Sequence, residues 1–204
     1  MDATKFFELS AGKWRSQRTT HHLPFRRSET GESEINVDSL SADHPKVIEI
    51  CQLHEIDPSL AAGGALVSWQ GTMAWDKTDE NHQDSTVMVL VPEPSNPQKG
   101  KLLREKGYAE IVPVAGLYQM DDDDGMVLIT EYETMSSEER FSFVSPDLRM
   151  RTSLVKRFGG FSTASLCIES RVDSHFNEAS SLDRKSQQGE DASESGEYYS
   201  ILGW

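Results

Sequence analysis

Cysteine is scarce in this 204-residue chain. There are two, Cys51 and Cys167, too few for a disulfide framework, which predicts a reducing compartment. Basic residues are in deficit: 20 Lys and Arg face 34 Asp and Glu, a net charge of −14. That surplus of acid argues against nucleic acid or an anionic membrane as a partner. No apolar run approaches the roughly 18 residues that a membrane span needs, and the Met1 end has no signal-peptide core. The six histidines are scattered without metal-ligand spacing, and adjacent His21 and His22 would point to opposite faces of a strand. No metal site is expected.

The length suits one domain with a tail. Beyond about Asp173 the composition turns to Ser, Glu, Asp, Gln and Gly. Residues 1–172 therefore read as the folded domain and 173–204 as an acidic, disordered tail, with Tyr198, Tyr199, Ile201, Leu202 and Trp204 as a possible docking motif. Asp2 can cap a short helix through Phe6, Phe7 and Leu9, stopped by Gly12. Residues 13–23 follow as a strand with Trp14, Ser16, Arg18, Thr20 and His22 on one face, a mixture that suits the lining of a ligand cavity. A second strand is expected over 33–40. Asp43 caps a helix with Pro45 in its first turn, whose Val47, Ile48 and Cys51 face a core and which Pro58 ends; Cys51 reads as a core residue.

From Gly63 the pattern has period two. Ala65, Val67, Trp69, Gly71, Met73 and Trp75 share a face. Residues 76–84 read as a polar turn, 86–91 as a short apolar strand, and 92–97 as a proline-rich loop. Strands over 102–105 and 108–120 follow. The Asp121–Gly125 hairpin loop lacks the spacing and terminal glutamate of an EF-hand, and reads as a solvated tip. Residues 126–135 form its partner strand, and 161–172 a last strand after a bend at Gly159-Gly160. About ten strands and two helices predict an all-β antiparallel barrel.

Residues 138–153 carry the densest chemistry. Pro146-Asp147 suits a turn and resists a strand interior, so two alternating strands meet there. Arg149, Arg151, Ser153 and Val155 share one face of the second strand. Two arginines two residues apart make a fork for carboxylates or phosphates. A two-residue loop would set Arg140 and Ser142 beside them. A three-residue loop pairs Arg149 with Phe143, Arg151 with Phe141 and Ser153 with Glu139, and is the preferred register. Arg18, Arg149 and Arg151 lie on faces that a dry core would not accept unpaired. With Trp69, Trp75, Phe141 and Phe143 they describe a lining for a flat, conjugated, carboxylated molecule. An open-chain tetrapyrrole with two propionates fits that better than a fatty acid.

The stretches FFELSAGKWRSQRTTHHL (6–23), IDPSLAAGG (56–64), GYAE (107–110), EYETMSSEER (131–140), SPDLRMRTS (145–153) and KRFGGFS (156–162) resemble the S-type phycobiliprotein lyases, the CpcS/CpeS family. The likeness is greatest to the CpeS branch and covers nearly all of 1–172. It implies a lipocalin-like ten-strand barrel that binds a bilin without holding it permanently. The bilin is delivered to a cysteine of an apo-phycobiliprotein as a thioether. The CpeS branch implies phycoerythrobilin and the phycoerythrin β subunit. Arg149 and Arg151, with Arg18, would hold the propionates. Glu139 would face the pyrrole nitrogens and stabilise the cationic bilin, ahead of Glu131, Glu133 and Glu138. Ser153 would bond a propionate or lactam oxygen, and Trp69 and Trp75 would stack. The acidic tail hints at a plastid version; a cyanobacterial one would be cytoplasmic. Exposed strand edges make a homodimer plausible. A bilin carrier without catalysis, a fatty-acid carrier and a structural interaction protein are the alternatives.

Overall fold

The computed structural model describes residues 1–73, 82–105 and 113–172. Trp75, the 76–81 part of the expected polar turn, most of the expected 108–120 strand's first half and the 173–204 tail lie outside the described residues. Ten antiparallel strands close on themselves: β1 (Gly12–His22), β2 (Arg27–Leu40), β3 (Gly63–Met73), β4 (His82–Glu93), β5 (Asn96–Arg104), β6 (Val114–Met120), β7 (Met126–Glu131), β8 (Met135–Ser145), β9 (Leu148–Arg157) and β10 (Ser162–Arg171). Each pairs with its neighbours in sequence, and β1 pairs with both β2 and β10. Closure leaves the barrel without a free edge, so the argument for a homodimer from exposed edges fails.

The alternation in the sequence becomes inside and outside. Along β6 every second residue from Val114 to Met120 is buried, and β9 buries Arg149, Arg151, Ser153 and Val155. The apolar run of β4 does not alternate because both its faces are covered. Met88 and Leu90 point into the barrel core, whereas Val87, Val89 and Val91 lie under helix α2 (Pro45–Leu53) with Val47, Ile50 and Cys51. Burial pushes the Cys51 thiol up. The cap of α2 is His44, whose ring accepts from the Lys46 N–H at 3.2 Å; Asp43 instead accepts from the Ser41 hydroxyl. A side chain one residue nearer Pro45 captures the donor.

Four strand boundaries differ from expectation. β2 begins at Arg27, not Ser33, because His22 pairs with Arg27 and the whole of β1 needs a partner. β4 begins at His82 rather than Thr86, opposite Gly71. Pro92 and Pro97 sit inside a β4–β5 hairpin, tolerated where the ladder shifts register at Pro92 and Glu93. Met135 opens β8 instead of ending β7.

Helix α1 (Ala3–Ser10) stoppers one end of the barrel. The Asp2 side chain caps it by accepting from the Lys5 N–H at 2.8 Å. Its Phe6 is buried against Phe143, ring centroids 5.1 Å apart, and Trp14 Nε1 donates to the Ser10 carbonyl at 2.9 Å. The four-aspartate loop is more than a solvated tip. Asp121 accepts from Arg140 Nε at 2.6 Å and from the Asp123 and Gly125 N–H groups, and Asp124 pairs with the Met1 amino group. The neighbouring Arg140 holds the Asp121 carboxyl below the usual carboxylate range.

Arg171 clasps this end. Its guanidinium donates to the carbonyls of Ala11 (2.6 Å), Leu9 (2.9 Å) and Pro146 (3.2 Å) and lies 4.2 Å over the Trp14 ring. Arg171→Ala is expected to cost about 2 kcal/mol. Hydrogen exchange should accelerate in residues 3–10 far more than in the strands; uniform acceleration would count against the clasp.

Candidate functional site

Inward parity on four adjoining strands assembles the site. The β8–β9 ladder pairs Phe143 with Arg149, Phe141 with Arg151 and Glu139 with Ser153. The chain reaches that register by a tight turn at Pro146-Asp147 followed by a bulge, since Ser145 pairs with Leu148 and the ladder shifts between Phe143 and Ser145. The β9–β10 ladder sets Arg149 against Glu169 and Arg151 against Cys167.

Glu169 is the hub. Fully buried, it accepts from Arg149 Nε at 2.6 Å and lies 3.4 Å from Arg151 Nε with its other oxygen. Arg151 also reaches Glu139 at 3.4 Å and Cys167 Sγ at 3.3 Å. Rings finish the enclosure: Arg149 lies 4.7 Å over Trp14 and both guanidiniums flank Phe141. Arg104 of β5 points into the same interior and is also buried. Its Nη2 has no hydrogen-bond partner among the described residues. Among the described residues, buried arginines 104, 149 and 151 outnumber buried glutamates 139 and 169 by one. A buried surplus of positive charge is costly unless an anion is supplied.

Burial pushes the Glu139 carboxyl up; Arg151 and Arg104 pull it back without cancelling that effect. Burial pushes Arg149 down, against the pull of Glu169. Arg151 is raised despite its burial, because Cys167, Glu169 and Glu139 surround it.

Two cavities flank the ion network. One, open toward solvent, is lined by Ser16, Arg18, Ser33, Trp69, Gly71 and Arg151, among others. The second lies toward the α1 stopper between Phe6, Val67, Met126, Phe141 and Arg149. Of the residues expected from sequence, Arg18, Trp69 and Arg151 line the open cavity. Glu139 and Ser153 are buried beside it, and Arg149 sits a layer deeper, turned to Glu169. Trp75 lies outside the described residues. Glu131, Glu133 and Glu138 are exposed, so Glu139 is the buried carboxylate of that group. Glu169 and Arg104 are the residues that sequence reasoning missed. Parity would have found both: Glu169 alternates with Cys167, and Arg104 with Leu102. Among the described residues no His, Cys, Asp or Glu cluster can hold a metal.

A closed, stoppered ten-strand barrel with charges and rings in its lumen is a lipocalin-like barrel with a polar interior. The chain belongs to the CpeS-like family: the model described as CpeS-like protein matches residues 2–172. It is similar to chromophore lyase CpcS/CpeS 2 of Trichodesmium erythraeum, 59% identical over 204 residues covering all of both chains. It is also similar to the phycocyanobilin lyase subunit CpcS of a Picosynechococcus species. That pair is 56% identical over 203 residues, spanning 100% of this chain and 98% of the relative. Among solved structures, the S-type phycobiliprotein lyase CPES from Guillardia theta superposes with a TM-score of 0.76 at 37% identity, covering 85% of this chain and 94% of that one. The Trichodesmium match runs through 173–204, so the tail is shared with a cyanobacterial relative.

Removing the hub should be severe. Glu169→Gln leaves two buried guanidiniums without their carboxylate, at an expected cost of about 3–5 kcal/mol. That corresponds to a Tm lowered by on the order of 10 °C, readable by thermal unfolding. Glu139 predicts the reverse of the usual carboxylate behaviour. Its raised folded pKa means that the native state keeps the proton to higher pH than the unfolded chain. Stability from the neutral form is full below the ordinary value of 4.5 and is lost as pH rises through the raised one. Tm plotted against pH should therefore decline more for wild type than for Glu139→Gln across that interval; parallel curves would refute the assignment.

Proposed function

We propose that this protein is a bilin lyase that receives an open-chain tetrapyrrole in the barrel lumen and transfers it to a cysteine of an apo-phycobiliprotein. The observation that carries the reading is the buried surplus charge: three arginines, two glutamates and an adjoining open cavity that Trp69 flanks. A bilin brings anionic propionates to that surplus of positive charge and an extended π system to Trp69. The names of the relatives support the reaction class. One of them is a phycocyanobilin lyase subunit, which supports a bilin as the cargo; phycoerythrobilin and the phycoerythrin β subunit are the finer proposal from the CpeS-branch likeness.

In this reading Arg18 and Arg151 take a propionate at the open cavity, and buried Arg104, whose Nη2 has no hydrogen-bond partner among the described residues, takes the second. Charge-assisted bonds of this kind orient the cargo. Arg149 stays with Glu169 and holds the platform under Arg151. Glu139 faces the pyrrole nitrogens and stabilises the protonated bilin, while Ser153 bonds a propionate or lactam oxygen. A protonated bilin is the better electrophile. The client thiolate adds to the ethylidene carbon, the carbon–carbon π bond opens, and a proton returned to the adjacent ring carbon balances the addition. The nucleophile belongs to the client. Cys167 is enclosed by Arg151, and Cys51 sits outside the barrel wall under α2.

Absorbance titration with phycocyanobilin and phycoerythrobilin tests this. Wild type should give a red-shifted bound band. Glu139→Gln should lose the red shift, and Arg104→Gln should keep it with affinity lowered about tenfold, the effect of one carboxylate contact. A wild type that binds neither bilin overturns the function.

A further inference from the structure

The lumen leaves one part of the molecule unexplained, the rim opposite the α1 stopper. Two connections meet there, the β1–β2 tip at Leu23-Pro24-Phe25-Arg26 and the β9–β10 turn at Phe158-Gly159-Gly160-Phe161. Their apolar side chains stand in water: Phe158 is 88% exposed, Phe25 52%, Leu23 51% and Phe161 48%. Phe25 and Phe161 stack across the two connections, centroids 5.9 Å apart and 21° from parallel. The turn that presents Phe158 is well fixed. Arg157 N donates to Phe161 O and Phe158 N to Thr134 O, each at 2.7 Å. Gly159 and Gly160 adopt φ of +86° and +83°, which side-chain-bearing residues rarely do. A contiguous apolar patch held out by ordered backbone marks an interaction surface.

Its charge says what fits. In a chain of −14 this sector carries Arg26, Arg27, Lys156 and Arg157. Its acids among the described residues are three: Glu29, engaged by His22 at 3.0 Å, Glu131 at the end of β7 and Glu133 in the β7–β8 connection, so the four basic side chains hold a small excess. A second copy docking by the same patch about a two-fold axis would oppose one cationic sector with another. The ligand cavity lies on this side of the ion network. The Arg18–Gly31 pair at the cavity and the His22–Arg27 pair at the rim are four residues apart, about 13 Å along the strand.

We infer that this aromatic, basic rim is the seat of the acceptor protein, which presents an acidic surface with an apolar patch beside its receiving cysteine. The inference rests on the lyase reading and adds where the client docks. Rings at the centre of such a contact carry most of its energy, and surrounding charges set the rate of encounter.

The test separates docking from cargo binding. Wild type, Phe158→Ser and Arg26→Glu are titrated with phycocyanobilin, and transfer to a recombinant apo-phycobiliprotein β subunit is followed against its concentration. Phe158 is outside the core and the lumen, so bilin affinity and the bound spectrum should stay within about twofold of wild type. The KM for the apo-protein should rise about tenfold in Phe158→Ser, as for one lost hot-spot ring, with kcat nearly kept. Arg26→Glu should slow transfer at low salt and approach wild type at high salt. A wild-type KM in Phe158→Ser overturns the proposal, as does a loss of bilin affinity that accounts for the slower transfer. Sedimentation showing a wild-type dimer that Phe158→Ser dissociates would assign the patch to a second copy and also overturn it. A wild type that neither binds nor transfers bilin sinks the lyase reading itself, and is visible before any variant is compared.

Discussion

One carboxylate with two arginines on it fixes this barrel. Glu169 is fully enclosed and satisfies Arg149 at 2.6 Å while standing 3.4 Å from Arg151. Its loss would leave the buried guanidiniums short of a carboxylate, so strands β8, β9 and β10 hold a single mutual register; a slip of one residue would turn both guanidiniums outward and bring Leu148 and Met150 in. The rings follow from the charges. Trp14 lies between Arg149 and Arg171, and Phe141 lies against both lumen arginines. Arg171 in turn ties the α1 stopper to the strand ends. The ion network is thus part of the wall and part of the site at once, and among the described residues Arg104 and Arg149 each keep one buried Nη2 without a hydrogen-bond partner.

Strand parity made most of this legible. The mixed face of residues 14–22, the arginine face of 149–155 and the turn at Pro146-Asp147 all read correctly from alternation. The preferred pairing of Glu139 with Ser153 arises by a shorter turn than expected, with the odd residue absorbed in a bulge beside Phe143. Glu169 and Arg104 do not stand out in the sequence, because residues 102–105 are a short run and 161–172 has no run of apolar residues to mark an inside. The 87–91 run defeats alternation for a physical reason, since α2 covers what would otherwise be its wet face. The prolines at 92 and 97 suggested a loop, and a register shift in the ladder accommodates them instead. Which arginine is already committed to a partner, and which is left for a ligand, is a matter of distances that no residue spacing reveals.

The molecule is polar from end to end. At one end Asp2, Asp121, Asp124, Arg140 and Arg171 lock a helix over the opening; at the other, phenyl rings and basic side chains stand in water. The middle holds the buried ions. Closed strand pairing separates these regions, and the proposed function would keep cargo and client chemistry at one end.

A stoppered vessel has no through-flow. With α1 across the far end, a cargo held in the lumen as proposed would leave by the way it entered, and a protein seated on the rim would stand in that path. Loading must then precede docking, and an acceptor that arrives first corks an empty barrel. Excess acceptor should act as an inhibitor of its own modification, and turnover should be limited by departure of the finished product from the rim.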